Sequence, residues 1–131
     1  MLVSEYASRF CDGRAKRDIK LAALCHDLSE AFIGDIPAPV KPFISISCFG
    51  ENVNIREYEK SATRIILKSL NLYYLHKLIE DKNGLVHNAD RVMCNSESWY
   101  LRGYKINEDM PITDEEIIPL SPKESYDYFM N

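Results

Sequence analysis

Long apolar runs, paired cysteines and histidines are all scarce in this chain of 131 residues, and each scarcity removes a class of function. No apolar run approaches the ~18 residues that span a bilayer, and no basic segment followed by an apolar one opens the chain. A membrane span and a secretory leader are therefore not expected, and a cytoplasmic protein is the default reading. Cys11, Cys25, Cys48 and Cys94 are widely spaced without a C-x-x-C pair. That argues against a zinc knuckle or dithiol redox site and for free thiols in a reducing compartment. Positive charge is also in short supply: the net charge of −4 disfavours broad nucleic-acid binding, which depends on many Lys and Arg contacts to phosphate. A small anionic substrate stays open, because one metal and a few cations can dominate a single pocket.

Period-two alternation is missing as well, and with it any clear strand. The apolar residues recur at helical spacing instead. Leu2, Val3, Tyr6, Ala7 and Phe10 share one face, and Asp12-Gly13 ends that element. A second helix is expected over 16–32, with Ile19, Ala22, Ala23 and Leu24 inward, stopped by Gly34 and the Pro37/Pro39 pair. Residues 42–54 are the least patterned and read as a loop or lid. Further helices are expected at 55–70, with Tyr58, Ala62, Ile65 and Ile66 buried, at 74–80, and at 85–101. Ser121-Pro122-Lys123-Glu124 reads as a capping box opening a terminal helix. At 46% apolar and 27% charged residues, and with no repeats, the expectation is one all-α domain over 1–131.

What the chain does have is a dense run of chemistry-bearing side chains, His26-Asp27-Leu28-Ser29-Glu30 followed by Gly34-Asp35-Ile36-Pro37-Ala38-Pro39-Val40-Lys41. Imidazole and carboxylate are the donors a water-activating metal needs, and phosphate chemistry needs acid/base groups and cations beside it. On a continuous helix His26 and Glu30 would share a face, with Asp27 about one hundred degrees round. A lone histidine among Leu and Ala is usually a hydrogen-bonded core residue. Two carboxylates on the same otherwise apolar segment shift the balance towards a site, since charged groups are rarely buried without partners. A second polar intrusion, Asp90 in His87-Asn88-Ala89-Asp90-Arg91, opens the most regular helix. Alone it would read as a helix-start carboxylate favoured by the dipole.

Together these segments resemble the HD-domain metal-dependent phosphohydrolases, especially the 5′-deoxynucleotidase-like branch with its HDxxEA…GDxPxPxK run. The resemblance spans roughly residues 2–101, with most of its specificity in 21–41 and 87–97. It implies an HD-type helical bundle, a divalent metal held by His26, Asp27 and Asp90, catalytic carboxylates at Glu30 and Asp35, and Lys41 as a phosphate-facing cation. It further implies a nucleotide substrate and a homodimer. One feature departs from the family: its additional histidine ligand, on the helix before the HD segment, has no counterpart, the histidines being His26, His76 and His87. The apolar stripe starting at Leu2 also lacks an N-cap residue ahead of it, as in a helix shorn of its first turn. The expected activity is hydrolysis of (deoxy)nucleoside phosphates. The alternatives are a triphosphohydrolase or signalling-nucleotide hydrolase, and a degenerate HD-fold protein that binds without catalysis. His87 and the Arg14, Lys16, Arg17, Lys20 cluster are weaker candidates, the cluster being better explained as a solvated face.

Overall fold

Why the chain folds as it does is clearest at its breaks. The computed structural model describes residues 3–48 and 50–130. Helix α1 (Val3–Ser8) turns at 9–12 into α2 (Gly13–Leu24), with Gly13 taking the positive φ of 57° that the reversal requires. Helix α2 stops earlier than expected. The Cys25 N–H is shared between the carbonyls of Leu21 and Ala22, tightening the last turn, and the Ala23 carbonyl bonds the His26 ring at 2.7 Å. In a continuous helix that carbonyl would accept the Asp27 N–H, so the imidazole competes with the helical ladder and ends it. Residues 26–29 form tight turns, held by Leu28 N–H to Cys25 O and Glu30 N–H to Asp27 O, before the single turn of α3 (Glu30–Ile33). The expected unbroken helix over 16–32 is therefore two helices with the His-Asp pair in the joint.

The 42–54 segment is not a loop either. A short 3₁₀ turn (Lys41–Phe43) leads into a hairpin of β1 (Ser45–Cys48) and β2 (Glu51–Asn54), paired antiparallel with Ile46 opposite Val53. Gly50, at φ 85°, lies between the two strands. Four residues per strand are too few for alternation to stand out in the sequence. Helix takes 59% of the described residues and strand 6%, so the mostly helical expectation holds while the strictly all-α one is corrected.

Helix α4 (Ile55–Ser69) begins at Asn54, whose side chain caps it by accepting the Arg56 N–H. Its buried stripe is Ile55, Thr63 and Leu67, not the expected Tyr58, Ala62, Ile65 and Ile66; Ile65 is 67% exposed. A second 3₁₀ turn (Tyr73–Leu75), α5 (His76–Glu80) and α6 (Leu85–Arg102) follow, and α7 (Pro122–Met130) closes the order. The capping box at α7 is formed as expected: Ser121 N–H donates to Glu124 Oε2 at 2.8 Å, and Glu124 N–H donates to Ser121 Oγ at 3.3 Å.

The chain falls into two units, Val3–Ala89 and the residues from Asp90 onward. The first unit is built on Ala7, Ile19, Ala22, Ala23, Leu75, Val86 and Ala89, where alanines let the helix backbones approach closely. The second is organised by buried polar groups on α6. Asn95, 1% exposed, donates Nδ2 to the carbonyls of Asn107 and Met110 and accepts the Asn107 N–H. Ser96 accepts the Thr113 N–H, and the Tyr100 hydroxyl donates to the Thr113 carbonyl. Leu24, expected inside, is 49% exposed. Among the described residues no helix is long and apolar enough to cross a membrane.

Candidate functional site

The joint between α2 and α3 fixes the His26 ring. A backbone carbonyl can only accept, so His26 Nδ1 carries a hydrogen and donates it to Ala23 O. Nε2 then faces Asp27 Oδ2 at 2.8 Å, with side chains 19% and 55% exposed respectively. A carboxylate oxygen brings no hydrogen to that contact. An ion pair fits this contact, and so does a cation held by both atoms. The spacing is close to the roughly 3 Å between two donors of one metal with bonds of about 2.1 Å. An imidazole that gives its other N–H to a carbonyl is also the usual arrangement of a ligating histidine. The two residues thus fit as neighbouring donors. Among the described residues, however, no group of three or more His, Cys, Asp or Glu side chains is gathered closely enough to hold a metal.

Around this pair stands a set of carboxylates. Glu30, at the first position of α3, has its carboxyl pushed above the usual range by burial, and further by the negative charges of Asp27, Asp35 and Glu59; the Lys41 ammonium pulls the other way. Gly34 makes this grouping possible. Its N–H closes α3 on the Glu30 carbonyl at 2.8 Å, and its φ of 75° turns the chain so that exposed Asp35 acts on Glu30. Lys41, in the first 3₁₀ turn, pairs with Glu59 Oε1 at 2.8 Å.

Of the residues singled out in the sequence, His26, Asp27, Glu30, Asp35 and Lys41 belong to this one neighbourhood. They reach it by turns rather than on a common helix face, so the expected sharing of a face by His26 and Glu30 does not hold. Asp90 lies in the other unit, on α6, where it and Glu97 add to the burial that raises the Cys94 thiol. The expected shortened first helix concerns Met1 and Leu2, which lie outside the described residues. His76 stacks on Tyr73, ring centroids 4.4 Å apart, and takes no part in the cluster's contacts. The Arg14, Lys16, Arg17 and Lys20 side chains are exposed, as a solvated face would be.

Glu59 was not anticipated. Its signal was present, because 55, 59, 63 and 67 are four apart and three of them form the buried stripe of α4. A glutamate on that line needs a partner. Placing the stripe one residue round the helix left it looking solvated.

No family model matches the chain, and neither the curated proteins nor the solved structures contain a significant match.

Proposed function

We propose that the chain is a metal-dependent phosphohydrolase of the HD type acting on nucleotides, in the first place (deoxy)nucleoside phosphates. The observation that carries this reading is the oriented His26–Asp27 pair beside a glutamate whose proton affinity is raised. His26 and Asp27 hold the divalent cation, and the sequence resemblance assigns Asp90 as the further donor. Bound there, such a cation supplies Lewis-acid polarisation of a phosphoryl oxygen and a water of lowered pKa.

The chain's own groups do the rest. Glu30, with its pKa moved towards neutrality, is suited to taking a proton from attacking water and returning one to the leaving oxygen. Asp35, exposed on the turn, orients the water with it. Lys41 offsets phosphate charge. A cytoplasmic location, expected from the wide spacing of the cysteines, and a homodimer, implied by the same resemblance, complete the proposal.

The test is hydrolysis of a nucleotide panel with Mn, Co or Mg, alongside metal content of the wild type and of His26→Ala, Asp27→Ala and Asp90→Ala. Metal-dependent phosphate release that falls with metal content in all three variants supports the assignment. Stoichiometric nucleotide binding without turnover would select the non-catalytic HD-fold alternative. Absence of both would refute the reading.

A further inference from the structure

Lys41 is held from several directions by the start of α4. Asn54 Nδ2 donates to the carbonyls of Pro42 and Ile44, at 3.4 and 3.3 Å. The Ile55 N–H bonds the Ile44 carbonyl at 3.0 Å, and Arg56 reaches the Ala38 carbonyl at 3.5 Å. The backbone is thus tied on both sides of Lys41, and the ammonium itself is tied to Glu59, with side chains only 20% and 15% exposed. Glu59 has competitors for that ammonium. Lys41 acts electrostatically on Glu30, which also carries the influence of Asp27 and Asp35. A flexible lysine beside such a set would fold onto it and be neutralised there.

Resting on the reading of Lys41 as the phosphate-facing cation, we propose that Glu59 is its positioning residue: the α4 carboxylate holds the Lys41 ammonium off the Glu30–Asp35 carboxylates and keeps it available to the substrate phosphate. An ammonium has three N–H donors. Glu59 holds the ammonium by charge at 2.8 Å, and its N–H groups remain for phosphate oxygens. Glu59 touches no reacting atom and acts through Lys41 alone.

The experiment is a double-mutant cycle on the full chain with inorganic phosphate as the binding probe, adding kcat and KM on whichever nucleotide is turned over. Glu59→Gln weakens phosphate binding about tenfold in the wild-type background, the scale of one lost charge-assisted contact. In a Lys41→Met background it has no further effect, whereas a purely structural role would act in both. Glu59→Asp restores part of the affinity. Glu57→Gln, which loses an exposed pair with Lys60 on the same helix, leaves it unchanged. Additive losses, or unchanged phosphate affinity in Glu59→Gln, overturn the proposal. A second readout needs no substrate: with Glu30→Gln and Asp35→Asn in both proteins, so that no other carboxylate can take the ammonium, acetylation of Lys41, followed by mass spectrometry, is several-fold faster in Glu59→Gln, since an ion-paired amine is protected. Failure of the wild type to bind phosphate while acetylation still quickens overturns the phosphate role of Lys41; the phosphohydrolase reading falls only if turnover and nucleotide binding are absent as well. Unchanged acetylation overturns the clasp itself.

Discussion

Replacing Asn95 by alanine is the sharpest test of how the second unit is held. The side chain is buried at 1% exposure and makes three hydrogen bonds: Nδ2 to Asn107 O at 3.2 Å, Nδ2 to Met110 O at 3.1 Å, and Oδ1 from Asn107 N–H at 3.0 Å. Each is worth about 1 kcal/mol net, so deleting all three costs roughly 3 kcal/mol before relaxation. Asn107 is exposed, and water can replace part of what its backbone loses, which lowers the expectation to about 2 kcal/mol. Urea unfolding followed by the fluorescence of Trp99, the single tryptophan and a residue of the same helix, reads the change directly. As a control, Asn88→Ala removes one exposed bond to the Asn83 carbonyl and costs under about 0.5 kcal/mol. A shift for Asn95→Ala as small as the control's would refute the claim that this side chain tethers 107–110. Limited proteolysis should also open that segment selectively in the variant.

Glu30→Gln should raise thermal stability at pH 7 while abolishing turnover. The carboxyl's raised pKa means that its ionised form opposes folding: its contribution is full below the unfolded value and lost as pH rises through the folded one. Lower stability of Glu30→Gln at pH 7 would contradict this. Glu80 has the opposite sign, since its bidentate pairing with Arg64 holds the carboxyl below the usual range. Its contribution is present above the unfolded value and lost as pH falls through the lowered one, so Arg64→Gln should flatten the acid limb of a Tm–pH profile; an unchanged limb refutes it. Finally, Leu67→Ala, at a fully buried position, should cost about 2–5 kcal/mol and Ile65→Ala under about 1 kcal/mol. Denaturant titration giving the reverse order would restore the stripe that the sequence pattern suggested.

The sequence by itself determined the helical class, the span of α4 and α6 to within a residue or so, and the capping box at Ser121, because these depend on periodicity and on contacts between residues three or four apart. It also drew attention to His26, Asp27, Glu30, Asp35 and Lys41, since charge on an apolar segment is visible without coordinates. Tertiary structure alone decided the rest. The break after Leu24 has no proline or glycine to announce it and follows from one imidazole taking a backbone carbonyl. The hairpin at 45–54 is too short to show its period. Which line of α4 faces inward was set by what packs against it, so Glu59 gained its role only when Lys41 was brought beside it from another element. In sequence Asn95 looks like a surface residue on a helix, and Ser96, although on the periodic stripe, shows nothing of what it bonds. They are buried because the 107–113 segment supplies the backbone groups that satisfy them, and a bond between residues twelve or more apart leaves no mark on local sequence.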